Sequence, residues 1–243
     1  MRKYLPPLIL FFLLLIGWQA LALGINAAYI LPTPIQVIQK LWELREPLFM
    51  VHLPATMSVT FIGLGISVVL GLALDMHEGI RRTLYPLVIA SQTIPTTAIA
   101  PLFVLWFGYS IWSKVLVTVL MTFFPITITV YDGFQSTKRE MEELMLSFNA
   151  SKMDIFMKLK LPNALPYFFS AIKMAIPISI IGAAIGEWLG AQSGLGYFSK
   201  RMLTQLDGAG VFAPIVLLSA VAMLIVAIVG IIERIAIPWR KEL

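Results

Sequence analysis

The chain has no cysteine, only two histidines, and charges on just 13% of its 243 residues. The missing thiols exclude a disulfide framework, a thiolate metal site and a cysteine nucleophile. His52 and His77 are the only imidazoles, and neither lies in an HExxH pattern. No GxxxxGK[ST] loop is present to cradle phosphates, so the chain is not expected to hydrolyse ATP by itself, and no GxSxG elbow offers a serine nucleophile. What is abundant is apolar: 59% of residues are hydrophobic and the mean hydropathy is +0.87. Soluble domains hold about 45–50% apolar and about 25% charged residues, so the main solvent here is lipid. The formal charge of +5 is spread between apolar blocks, which suits orientation signals beside an anionic leaflet better than a nucleic-acid surface.

A helical span needs roughly 20 apolar residues. Six such segments are expected, at 5–24, 53–75, 84–106, 112–131, 164–188 and 211–235, within one all-α transmembrane domain over residues 1–243. Six spans bring both termini to one side. With that side cytoplasmic, twelve basic residues are inside: Arg2, Lys3, Arg81, Arg82, Lys138, Arg139, Lys152, Lys158, Lys160, Arg234, Arg240 and Lys241. Five are outside, Lys40, Arg45, Lys114, Lys200 and Arg201, while Lys173 falls within a span. That asymmetry follows the positive-inside rule and orients a multi-pass cell-membrane protein with both termini in the cytoplasm. The first span also imitates a cleavable signal, but its apolar run continues through the cleavage-like Ala20–Ala22 stretch, so a retained span is expected.

Outside, Leu31, Pro32, Thr33 and Pro34 form a turn signal. The spacing of Ile35, Val37, Ile38, Leu41 and Trp42 then predicts a short amphipathic helix with Pro34 at its first position. It would lie at the interface and pack on the bundle, or serve in binding. His52, at the edge of the second span, and His77, at a basic turn, read as solvated loop residues.

The inner segment 132–163 carries two helix-start signals. Thr137 precedes Glu140, and Ser151 precedes Asp154, by three positions each, the spacing of a capping box. Asn149, between them, tolerates the left-handed backbone that ends a helix. Met141, Leu144, Met145 and Phe148 form one apolar stripe and Met153, Phe156 and Met157 another, with Leu161 and Pro162 closing the segment before the next span. Such helices could cover the bundle's mouth or dock in a partner's groove, and methionine and phenylalanine suit the second use.

From Glu143 to Pro162 the segment resembles the EAA loop of binding-protein-dependent ABC importer permeases. Glu143, Leu144 and Met145 stand at the first triplet, Asn149 at the glycine, and Leu159, Leu161 and Pro162 at the end. Leu144 and Met145 replace two alanines, and Asn149 replaces the glycine. Further likeness runs through Leu31–Pro34, Pro101–Gly108, Phe123–Ile126, Asn149–Ser151, Pro162–Pro166 and Gly194–Gly196, and is to permeases for nitrate, sulfonate, taurine and thiamine precursors. The resemblance implies six spans per subunit, a second permease copy, two ABC ATPase subunits that bind ATP and Mg, and an extracytoplasmic solute-binding protein. It implies no cofactor or metal on this chain, and no enzyme activity of its own. It also makes residues 149–157 the coupling helix, so that Glu143, Asn149, Ala150, Ser151, Phe156, Leu161 and Pro162 would transmit motion from the ATPase. Ser91–Pro95 and Gly186–Gly190 look most like permeases for thiamine pyrimidine precursors of the hydroxymethylpyrimidine type. Sulfonate, taurine, nitrate or riboflavin transport is the alternative within the family.

Polar groups within spans are costly and so informative. Gln92, Thr93 and Thr96 lie in the third span near Pro95 and Pro101, where freed carbonyls need a protein neighbour or a wet cavity. A discontinuous helix lining a pathway would satisfy them, and so would hydrogen bonds within the bundle. Gly182, Gly186 and Gly190 make a stripe for close helix packing. Glu187, beside it, needs water or a partner, and Trp188 could offer a stacking face. A stand-alone carrier or a membrane enzyme is the competing class, and copurification of an ATPase separates the first from the importer.

Overall fold

The computed structural model describes residues 5–75, 83, 85–86, 89–90 and 93–239. Gln92, Ser91 and His77 lie outside the described residues. Among the described residues the ordered elements are all helical. In chain order they are α1 (Leu5–Ile25), α2 (Pro34–Glu43), α3 (Leu53–Asp75), α4 (Thr96–Phe107), α5 (Ile111–Gln135), α6 (Arg139–Ser147), α7 (Lys152–Ile155), α8 (Leu161–Gly190), α9 (Leu195–Thr204) and α10 (Gly208–Ala236). Among the described residues five continuous helices are long and apolar enough to cross a membrane: Leu5–Ile25, Arg45–Leu74, Ile111–Gln135, Lys152–Gly190 and Gly208–Ala236. The expected third span differs from these. Ala90 is helical, Thr93 to Pro95 are not, and the regular helix resumes only at Thr96, so α4 is a 12-residue piece. Pro95 explains the break, since it lacks an amide hydrogen and disfavours helical backbone in the residue before it.

Two helices are longer than their apolar cores because a π-type turn joins a lead-in to the span. Residues Leu48–His52 feed α3 and Phe156–Lys160 feed α8. In each the amide at the helix start reaches back five residues, Leu53 to Leu48 and Leu161 to Phe156, and in each a proline follows at once, Pro54 or Pro162. A proline ring crowds the carbonyl four residues before it and donates nothing, and a widened turn relieves both. Leu161 and Pro162 therefore do not end the preceding segment, as expected from sequence; α7 runs through them into one continuous helix.

The centre of the bundle is α5, which packs between α3 and α8. Glycines set the distance. A Cβ on Gly63 would lie 2.7 Å from the Thr118 Cβ, one on Gly182 would lie 3.0 Å from the Thr118 Cα, and one on Gly186 would lie 2.9 Å from the Lys114 Cα. Larger residues would force these backbones apart. A polar cross-link adds to the contact: Ser67 Oγ and Thr122 Oγ1 are 2.7 Å apart, so one hydroxyl donates to the other while the acceptor donates to the carbonyl four residues before it. These self-satisfied hydroxyls are tolerated in an apolar interior. In the first half of α8, Lys173 pairs with Glu233 of α10 at 2.7 Å.

Candidate functional site

The end of the bundle formed by α6 and α7 is built from short-range signals. Phe148 ends α6, Asn149 adopts φ 59°, and the Asn149 and Ala150 amides donate to the Leu146 and Met145 carbonyls at 2.9 and 3.1 Å. This pairing is a Schellman motif, with asparagine in the left-handed position that glycine usually takes. Ser151 then starts α7 with a full capping box: its Oγ accepts the Asp154 amide at 3.1 Å, and Asp154 Oδ2 accepts the Ser151 amide at 3.3 Å. The second expected box does not form. The residue before α6 is Lys138, without a side-chain cap. Thr137 is buried and its Oγ1 accepts from Asn163 at 3.5 Å, because contact with α8 outcompetes the local cap.

The candidate coupling residues fall into two groups. Asn149, Ala150 and Ser151 form the turn. Phe156 is half exposed and stacks on Phe134 of α5, with ring centroids 6.1 Å apart. Leu161 and Pro162 lie at the join to α8. Glu143 pairs with Arg139 within α6 at 2.9 Å, while its neighbour Glu142 makes the link to the α8 lead-in through Lys160 at 3.0 Å. Sequence spacing gave no signal for that link or for the Phe134 stack, since both join separate elements. Around the turn Met141, Leu144, Phe148, Met153 and Met157 expose at least half of their surface, an apolar patch that lacks a covering partner among the described residues.

At the opposite end, three consecutive amides at the start of α9 are capped from other helices. Gly194 N–H donates to His52 Nδ1 at 3.1 Å, Leu195 N–H to Thr56 Oγ1 at 2.8 Å and Gly196 N–H to Glu187 Oε2 at 2.8 Å. All three acceptor side chains are buried, so α9 is clamped to α8 and to the start of α3. His52 is thus a buried acceptor rather than the solvated loop residue expected from sequence. Burial fixes its role because an unpaired amide in this interior would be costly. Gly194 has φ 117°, and a Cβ there would overlap the Glu187 carboxylate. Glu187 Oε1 has no hydrogen-bond partner among the described residues.

Trp188 is half exposed and lines a cleft of about 450 Å³ with Tyr109, Tyr197, Lys200 and Arg201. Thr93 and Thr96 lie elsewhere. Thr93 is exposed and donates to the Ala90 carbonyl at 2.7 Å, and Thr96 begins α4. The far end of α4 leads to Tyr109, which contacts Gly190. At 1.5 Å per residue the twelve residues of α4 rise about 18 Å from Thr96 towards Tyr109. Glu187 lines the Trp188 cleft, whereas Thr93 and Thr96 are not among its lining residues.

The chain is 51% identical to the formylaminopyrimidine transport permease protein ThiX of Halalkalibacterium halodurans, an alignment that spans 99% of each chain. It is 32% identical to the riboflavin transport system permease protein RibX of Chloroflexus aurantiacus, over 95% of this chain and 88% of that one. Among solved structures it superposes on the MetNI methionine ABC transporter in inward-facing conformations with TM-score 0.60 and 20% identity, covering 84% of this chain and 97% of the other. It superposes on an amino acid ABC transporter with histidines with TM-score 0.62 and 16% identity, covering 80% and 94%. These last two likenesses show the fold. The family model for binding-protein-dependent transport system inner membrane components matches residues 63–240, and with the ThiX identity this makes the chain a member of that family: a multi-pass inner-membrane permease subunit of an ABC importer, and not an enzyme.

Proposed function

We propose that this permease imports a thiamine pyrimidine precursor, formylaminopyrimidine or hydroxymethylpyrimidine. The observation that carries the reading is the identity of 51% to ThiX along the whole length of both chains. Two copies would form the pathway and two ATPase subunits, holding ATP and Mg, would drive it. A solute-binding protein would deliver the ligand to the α2/α9 end. The α6/α7 end and both termini would be cytoplasmic, as the distribution of basic residues favours.

In this reading Asn149 to Phe156 seat in the ATPase, and the exposed methionine and phenylalanine patch supplies the apolar contact. The helix from Lys152 to Gly190 is 39 residues long, about 58 Å at helical rise. It joins the coupling turn to the clamp at α9, so a shift at the ATPase moves the opposite end of the same helix. ATP binding would open the pathway to the binding protein, and hydrolysis would reset it. Gln92, Thr93 and Thr96 would meet the ligand where the third span is broken, with Gln92 and Thr93 supplying a donor and an acceptor for the aminopyrimidine. Trp188 would meet it in the cleft at the α2/α9 end. Glu187 would act there as a cap for α9.

The test is uptake of labelled formylaminopyrimidine and hydroxymethylpyrimidine by cells that express the permease with its ATPase and binding protein. Loss of uptake on deleting the permease, with no competition by riboflavin, taurine or nitrate, is the expected result. Unchanged pyrimidine uptake in the deletion strain would overturn the assignment.

A further inference from the structure

Helix α2 has three stripes rather than two. Val37, Leu41 and Leu44 face the protein, where Leu41 and Leu44 pack against Leu48, Leu195 and Phe198. Gln36, Gln39, Lys40 and Glu43 form a polar stripe, anchored by Lys40, which lies 3.1 Å from Asp207 and 3.4 Å from Glu43. Hydrogen bonding to Asp207 raises the Lys40 amine above its ordinary value. The third stripe is apolar again and open: Ile35, Ile38 and Trp42 are 57%, 65% and 70% exposed, and Met50 beyond them is 75% exposed. An ordinary amphipathic helix needs one apolar face, and the protein already covers it.

The open stripe borders a groove of about 760 Å³, floored by Ile38, Leu41, Trp42, Phe49 and Met50 and rimmed by Arg45 and Glu46. Arg45 is held in place: it donates to the Trp42 carbonyl at 2.8 Å, and its guanidinium lies 4.6 Å from the centre of the Trp42 ring. Neither Arg45 nor Glu46 forms an ion pair among the described residues. The groove sits where α1 ends and the apolar core of α3 begins, at the boundary of the spans. Leu21, Leu23 and Ile25 near the end of α1 are exposed as well. An aromatic–arginine pair at this level is the usual arrangement where hydrocarbon meets headgroups.

We propose that this groove binds one phospholipid with a zwitterionic ammonium headgroup, of the phosphatidylethanolamine type. Arg45 takes the phosphate, Glu46 the ammonium, and an acyl chain lies over Ile38, Trp42 and Met50. A headgroup that carries both signs matches a rim that carries both signs, whereas an anionic headgroup would set its phosphate against Glu46 as well as Arg45. Binding here would fix α2 at the membrane surface, and through Lys40 and Asp207 the start of α10.

Native mass spectrometry of the intact permease–ATPase complex, titrated with phosphatidylethanolamine or phosphatidylglycerol, tests the site. The wild type should retain one phosphatidylethanolamine per permease chain in preference to phosphatidylglycerol. Arg45→Gln should weaken retention of both by about tenfold, the loss of one charge-assisted contact. Glu46→Gln should remove the preference, lowering phosphatidylethanolamine retention and raising that of phosphatidylglycerol. Equal retention by wild type and Arg45→Gln, or a preference that survives Glu46→Gln, would overturn the proposal. Because the chain has no cysteine, Met50→Cys gives a clean second reading: efficient disulfide linkage between two permease copies would show that protein, not lipid, covers the groove.

Discussion

The two ends of the bundle solve the same problem, starting a helix, by opposite means. At α7 the cap is local and exposed: Ser151 and Asp154 satisfy one another across three residues. At α9 the cap is remote and buried, with Gly194 and Leu195 satisfied by His52 and Thr56, 142 and 139 residues away in sequence. A local cap leaves the helix free to move as a unit and to present its apolar side to another chain. A remote cap makes the helix part of the bundle's packing. The α6/α7 end is held by local contacts and leaves its apolar patch exposed, and the α2/α9 end is locked to two spans.

Substitutions can break this contrast. Gly194→Ala should be the most damaging, because it places a side chain in a backbone region held almost only by glycine and drives it into Glu187. A cost of about 3 kcal/mol or more is expected from strain and overlap together, seen as failure to accumulate in the membrane. Glu187→Ala strands the buried Gly196 amide and should cost about 2 kcal/mol, a drop of roughly 4–8 °C in a thermal-shift assay in detergent. Glu187→Gln keeps an acceptor oxygen and should lose less. At the other end Ser151→Ala should cost only about 1 kcal/mol, while uptake per ATP hydrolysed in proteoliposomes falls more steeply than stability. Asn149→Gly should be nearly silent, within about 0.5 kcal/mol by the same thermal assay, because glycine accepts the φ of 59° that asparagine already tolerates. Equal losses of stability at both ends would erase the contrast.

The same division explains what could be read from the residues. Asn149 and the Ser151–Asp154 box were legible because their partners lie within a few positions, as was α2, with Thr33 capping Gln36 and Pro34 at its first turn. Thr137 carried the same local signal and misled, since Asn163 on another helix competes for its hydroxyl. His52 was unreadable as a cap because nothing near it in sequence names Gly194. Proline after leucine at Pro162 looked like a stop, yet the widened turn before it carries the helix onward, and periodicity does not register a five-residue reach. Glu187 was legible as a carboxylate in need of a partner, but the partner, Gly196, follows a turn whose geometry only the folded chain supplies.

In the proposed importer the exposed apolar turn between α6 and α8 seats the ATPase. Copurification with wild-type permease and with Phe156→Asp, each checked for membrane insertion and a monodisperse elution profile, tests it most directly. Loss of the ATPase from an otherwise well-folded Phe156→Asp permease, together with loss of uptake, is the expected result. A variant that retains both its ATPase and normal uptake would contradict it.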